Sequence, residues 1–198
     1  MPPKKQKAKR SWNVYLAVVP AVILVAFIVY LVAIPPATNI ATTPNNTMQQ
    51  TVGVGEMAKP FTLNLIDSTG LKEEKISFNP PTGKIVFIDF VHEWCVHCRN
   101  MAPVIEDLHK TYAQKGVTFI TIAGGYNTNA EKTAEFIRTY GINWRVGFDP
   151  DLNTFRSYGV RGTPTYVIID RDGRIAAKLS GEQTYQKLAE EIEKLLRS

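Results

Sequence analysis

The chain has 198 residues, 44% of them apolar, and a formal charge of +5, enough to bury one ordinary core with residues left over for an anchor or linker. Lys4, Lys5, Lys7, Lys9 and Arg10 account for all of that charge, so the balanced remainder offers no basic face for nucleic acid. The only cysteines, Cys95 and Cys98, are too few and too close for the disulfide framework of a small secreted domain, which leaves a redox pair or half a metal site.

Residues 1–11 form a basic tail. Trp12 to Ile34 carries no charge and as a helix would be about 35 Å long, which spans a hydrocarbon core of about 30 Å with modest tilt. It is too long for the apolar region of a signal peptide, usually about 7–15 residues. The basic residues before it predict a cytosolic N-terminus and an extracytoplasmic C-terminal domain, with Trp12, Tyr15 and Tyr30 near the interfaces. Residues 35–55 are rich in Pro, Thr, Asn and Gln without the apolar content for a core, and read as a flexible tether. Asn45-Asn46-Thr47 is an N-glycosylation triplet.

Residues 56–198 form the folded domain. Phe61 to Ile66 and Lys75 to Phe78 predict a hairpin around Asp67-Ser68-Thr69-Gly70, after which Pro80-Pro81-Thr82-Gly83 breaks the chain. Ile85 to Val91 predicts a buried central strand. The helix after the cysteines presents Met101, Val104, Ile105, Leu108 and Tyr112 at helical spacing, with Pro103 kinking it and Gly116 ending it. Val117 to Ala123 reads as a second buried strand. Thr128 and Glu131 predict a capping box for a helix to Tyr140. A short strand at Trp144 to Phe148 and a short helix at Leu152 to Tyr158 follow. Thr165 to Asp170 and Arg174 to Leu179 predict a hairpin about Arg171-Asp172-Gly173, and a last helix runs from Thr184 to Leu196. Strands interleaved with helices and closing on a hairpin describe an α/β sandwich with a mixed sheet.

The chemistry points to Ile85–Pro103. An apolar strand leads into the cysteines and an amphipathic helix leads out. Cys95 therefore falls where the unpartnered N–H groups of a helix stabilise a thiolate over a thiol, which makes it the candidate nucleophile. Asp89, inside an otherwise apolar strand, costs several kcal/mol unless protonated or hydrogen-bonded. His92 and His109 complete the histidines with His97. Glu93, Arg99 and His109 are expected on the surface.

The domain resembles thioredoxin-fold proteins, in particular the membrane-anchored TlpA and ResA type of redoxin, over roughly residues 53–198. Trp94-Cys95-Val96-His97-Cys98 resembles the W-C-x-x-C signature, Asp89 stands where thioredoxins carry a buried carboxylate, and Pro103 matches their helix proline. Gly162-Thr163-Pro164-Thr165 resembles their cis-proline loop, and Ile169 to Ile175 the redoxin hairpin. The resemblance implies an exposed Cys95 that attacks a partner's disulfide, Cys98 as the resolving thiol that forms a disulfide with it, and Asp89 as a proton acceptor for Cys98 with a raised pKa. It implies that Trp94 and the loop Gly162, Thr163 and cis Pro164 bind the substrate as an added strand. His97 is expected beside the Cys95 sulfur, where it tunes the thiolate and makes the couple more oxidising. The chain departs from the pattern at Met101, where TlpA and ResA proteins usually carry Glu, and no lysine partner for Asp89 stands in Val117 to Ala123.

These features imply a membrane-anchored, extracytoplasmic thiol-disulfide oxidoreductase that needs no cofactor, because the sulfurs carry both electrons. Its expected partners are extracytoplasmic protein thiols and disulfides and a membrane redox partner. Two rivals stand beside this reading. One is a soft-metal handling protein that holds copper with Cys95, Cys98 and His97; the other is a cytochrome c maturation-type reductase, a role that Met101 weakens.

Overall fold

The computed structural model describes residues 52–198 and the single residue Leu24. The basic tail, the rest of the 12–34 anchor, all of the 35–55 tether before Val52 and the Asn45 triplet lie outside the described residues. Among the described residues, no helix is long and apolar enough to cross a membrane.

Seven strands form one sheet: β1 (Phe61–Asp67), β2 (Gly70–Phe78), β3 (Val86–Val91), β4 (Thr118–Gly124), β5 (Arg145–Asp149), β6 (Thr165–Ile169) and β7 (Ile175–Ser180). Their spatial order is β2-β1-β5-β4-β3-β6-β7. The three central strands β3, β4 and β5 are parallel, and the outer strands are antiparallel. Within residues 52–198, four α-helices pack around the sheet: α1 (Val96–Tyr112), α2 (Ala130–Thr139), α3 (Asn153–Ser157) and α4 (Tyr185–Arg197). This is a thioredoxin-like α/β fold.

All six residues of β3 are buried, as a strand covered on both faces requires. Because successive side chains alternate between faces, Val86, Ile88 and Phe90 enter one core with Phe61, Phe78, Phe155 and Tyr158. Phe87 enters the opposite core, under α1 and α4, with Met101, Ile105, Leu108, Tyr166, Leu188 and Ile192. Further along that face Val91 meets Cys95, Cys98, Ala123 and Phe136. Asp89, between Phe87 and Val91, therefore points toward the first turns of α1.

Two expectations change. β2 begins at Gly70 rather than Lys75, because backbone pairing with β1 carries Leu71 to Glu74 where apolar alternation is missing; at the register shift, Asn64 Nδ2 donates to the Lys72 carbonyl at 3.0 Å. The expected Thr128–Glu131 capping box does not form. Asn129 caps α2 by accepting from Lys132 N at 3.0 Å, and Thr128 Oγ1 donates to Glu93 Oε1 at 2.7 Å. Pro103 sits inside α1 without ending it. The short helix α3 is held by Asp149, whose buried carboxylate accepts from Asn153, Thr154 and Phe155 N at 3.0, 2.9 and 3.1 Å.

Candidate active site

Cys95 is the N-cap of α1, with extended backbone (φ −72°, ψ 113°), and its sulfur accepts from Cys98 N at 3.2 Å. The first turn of α1 contains no acidic residue, so nothing there opposes the partial positive charge that favours a Cys95 thiolate. Three residues on, Cys98 returns to the same side of the helix, and the pair is joined as a disulfide across a Cα–Cα distance of 5.3 Å. Cys95 was expected to be exposed; its relative exposure is 6%, against 2% for Cys98, because the 160–164 loop covers it.

That loop enters through a cis Thr163-Pro164 bond. The Thr163 carbonyl oxygen lies 3.3 Å from Cys95 Sγ, placed to accept from the thiol when the pair is reduced. Thr165 Oγ1 donates to the Gly162 carbonyl at 2.7 Å, and Gly181 N to the Pro164 carbonyl at 2.8 Å, which ties the loop to the end of β7. A side chain at Gly162 would meet nothing within 4 Å. The space above it is thus open, and the glycine answers no demand of the protein's own packing.

Trp94 is 43% exposed. Its Nε1 donates to the Tyr126 carbonyl at 2.8 Å, and its ring stacks on His92 at 4.9 Å. With Val96 and Tyr126 it forms an exposed apolar shoulder beside the cysteines. His92 is the residue that sequence reasoning passed over. It is buried, its Nδ1 lies 3.3 Å from Thr163 Oγ1, and its ring also packs on Phe155 at 5.1 Å. Burial lowers its pKa, opposed by the neighbouring Glu93. His92 thus joins the approach to the cysteines, the cis-proline loop and α3.

His97 is exposed, and its Nδ1 meets Glu182 Oε1 at 2.7 Å; Asn100 Nδ2 donates to the same oxygen at 2.8 Å. These contacts hold the Glu182 carboxyl below its usual range. Among the described residues no group of three or more His, Cys, Asp or Glu is arranged to hold a metal.

Asp89 is 7% exposed, its Oδ1 has no hydrogen-bond partner, and burial raises its carboxyl to about 8. Desolvation is the sole cause, in keeping with a neighbouring β4 that offers Thr121 and no lysine. A carboxyl that titrates near neutrality, on the strand face that carries α1, can take up and release a proton at physiological pH. Two residues expected on the surface are not free there. Glu93 is 10% exposed, accepts from Thr128 and lies 3.7 Å from Arg99 Nη2. His109 is half-buried against Trp144 and Phe119, at 4.8 and 5.3 Å.

Known proteins are similar to this chain in sequence and fold. The AhpC/TSA family model matches residues 54–178. The thiol-disulfide oxidoreductase ResA of Bacillus thuringiensis subsp. konkukian is 30% identical over 149 residues, covering 75% of this chain and 82% of its own. That of Halalkalibacterium halodurans is 32% identical over 141 residues, covering 70% and 75%. The crystal structure of a Chlorobium tepidum protein assigned as a thiol:disulfide interchange protein DsbE superposes with a TM-score of 0.66 at 26% identity, covering 74% of this chain and 99% of its own. StoA from Bacillus subtilis shares the fold, with a TM-score of 0.57 at 20% identity over 68% of this chain and 97% of its own. The family match and these relatives place the chain, with its Cys-x-x-Cys disulfide at the start of α1 faced by a cis-proline loop, in the AhpC/TSA redoxin family as a thioredoxin-fold thiol-disulfide oxidoreductase of the ResA-like kind.

Proposed function

We infer that the protein is a membrane-anchored, extracytoplasmic reductase of protein disulfides. The observation that carries the exchange chemistry is Cys95 Sγ at a helix N-terminus, 3.3 Å from the Thr163 carbonyl, beside an open loop and the exposed Trp94. A substrate strand lying along residues 162–164 brings its disulfide to Cys95. The Cys95 thiolate attacks, a mixed disulfide forms and one substrate thiolate leaves. Asp89 takes the proton of Cys98, whose sulfur then attacks Cys95 Sγ and releases the second substrate thiolate. Two electrons pass from the dithiol to the substrate, and a membrane redox partner restores the dithiol.

The reducing direction is supported by His97. Its bond to Glu182 sets a carboxylate against the ring, so the positive influence on Cys95 that makes a couple oxidising is offset. The potential is expected nearer thioredoxin's, about −270 mV, than that of DsbA, about −120 mV. The uncharged Trp12–Ile34 run and the basic residues before it support the anchor and its orientation. The test is a full-length Cys98→Ser chain expressed in a bacterial host. Mixed disulfides through Cys95 should appear in the membrane fraction and be digested by protease added outside the cytoplasmic membrane. Adducts confined to the soluble or protected fraction would overturn the location, and no adducts would overturn the substrate class.

A further inference from the structure

His92 stands where three parts of the site meet, and the exchange chemistry gives it no task. Its backbone carbonyl accepts from Cys95 N at 3.1 Å, and its Nδ1 lies 3.3 Å from Thr163 Oγ1. Its ring stacks on Trp94 at 4.9 Å, the planes 27° apart, and packs on Phe155 at 5.1 Å. Thr163 in turn sets its carbonyl oxygen 3.3 Å from Cys95 Sγ. One buried side chain therefore joins Trp94, Cys95 and the cis-proline loop. Packing alone does not ask for a histidine there. Nε2 is enclosed without a partner. A Cβ at Gly124 would come within 2.6 Å of it and within 2.8 and 2.9 Å of Leu152 Cδ2 and Phe155 Cζ, so that nitrogen lies among apolar groups. A buried polar atom left unpaired costs stability that an apolar ring would not. The polar contact that the side chain does make is the one at Nδ1. Burial holds the ring below its ordinary pKa of 6.5, so near pH 7 it is neutral, with one N–H and one lone pair, and a threonine hydroxyl can complement either at Nδ1.

We propose that His92 is a positioning residue for substrate docking: its Nδ1 bond to the Thr163 hydroxyl holds the Thr163 peptide in the pose in which an extended substrate segment pairs with it beside Cys95. The inference rests on the reading that the substrate lies along residues 162–164. Among the described residues, His92 is the one hydrogen-bond partner of the Thr163 side chain. The neighbouring loop residues are tied elsewhere, the Gly162 carbonyl by Thr165 Oγ1 and the Pro164 carbonyl by Gly181 N. Those bonds fix the loop on either side of Thr163, and His92 fixes Thr163 itself. A strand added through main-chain hydrogen bonds gains from a template already held in one geometry, because ordering the loop on binding would cost affinity. A small disulfide that makes no main-chain pairing gains nothing from that order. His92 thus favours disulfides carried on extended polypeptide over small thiol disulfides.

Two substrates with the same reacting bond separate docking from chemistry: thionitrobenzoate joined as a mixed disulfide to the central cysteine of a short extended peptide, and thionitrobenzoate joined in the same way to N-acetylcysteine amide. In the reduced full-length protein the Cys95 sulfur bonds to the substrate cysteine, and thionitrobenzoate leaves with the electron pair of the broken S–S bond. Cys98 then displaces the substrate thiol, closing the disulfide. Single-turnover release of thionitrobenzoate is followed by its absorbance against substrate concentration. His92→Phe, which keeps a flat ring for Trp94, should raise the half-saturating peptide concentration about five- to tenfold, the scale of one hydrogen bond, and change the rate with the small substrate less than about twofold. Thr163→Val removes the other end of the bond while leaving the ring in place, so it should give the same loss and carries the test if His92→Phe does not fold. Combining the two should add nothing further. His92→Asn, whose amide can take the place of Nδ1, should recover most of the wild-type value. Equal slowing of both substrates, an additive double variant, or an unchanged Thr163→Val would overturn the assignment. If the wild type itself shows no preference for the peptide, the strand-docking reading falls, and the role of His92 with it.

Discussion

Replacing Asp89 by Asn should stabilise the oxidised protein, and by an amount that depends on pH. In the unfolded chain the carboxyl ionises near its ordinary value of 3.8, whereas in the fold it holds its proton up to about 8. Between these limits the folded state binds more protons than the unfolded one, so stability falls as pH rises. The contribution is fully present below the unfolded value and is lost by the time pH passes the folded one. With one pH unit worth about 1.4 kcal/mol, the wild-type penalty reaches about 4 kcal/mol at pH 7 and vanishes near pH 3. Asparagine cannot ionise and escapes it. Chemical denaturation of the oxidised wild type and Asp89→Asn at half-unit steps from pH 3 to 9 reads the difference directly, because the other carboxylates are common to both and cancel. The difference should be near zero at pH 3, grow by about 1.4 kcal/mol per unit above pH 4 and level off near pH 8. A pH-independent difference would refute the burial argument, and a difference of opposite sign would show that an undetected donor stabilises the carboxylate.

Two further substitutions probe the frame around the cysteines. A Cβ at Gly124 would lie 2.6 Å from His92 Nε2, 2.8 Å from Leu152 Cδ2 and 2.9 Å from Phe155 Cζ. Gly124→Ala should therefore cost about 1–3 kcal/mol in denaturant stability and, by pushing His92 off Thr163, slow disulfide exchange. Asp149→Ala removes the acceptor of three backbone N–H groups at the start of α3 and should cost about 3 kcal/mol. Asp149→Asn, which keeps one good acceptor, should lose less, and hydrogen exchange at Thr154 and Phe155 would rank the pair.

The sequence revealed the framework because its signals are local. The continuous apolar run of β3, the helical spacing of Met101, Ile105, Leu108 and Tyr112, and the Arg171-Asp172-Gly173 turn each need only a few neighbours to be read. The misread features depend on contacts between distant segments. Thr128 and Asn129 are both N-cap residue types, and while Asn129, the stronger, caps the helix, the Thr128 hydroxyl is engaged by Glu93, 35 positions earlier. His97 is adjacent to Cys98 in sequence, yet its partner is Glu182, 85 positions on. No local signal marked His92, a single ring between a strand and a turn whose Thr163 partner lies 71 positions on.

The central claim is that Cys95 performs the attack and Cys98 resolves it. Its most direct test is the reduction of insulin disulfides with dithiothreitol as electron source, comparing wild type, Cys95→Ser and Cys98→Ser. The account predicts catalysis by the wild type, none by Cys95→Ser, and from Cys98→Ser a stalled one-to-one mixed disulfide on Cys95 that dithiothreitol releases slowly. Turnover by Cys95→Ser, or an adduct on Cys98 in its place, would contradict it.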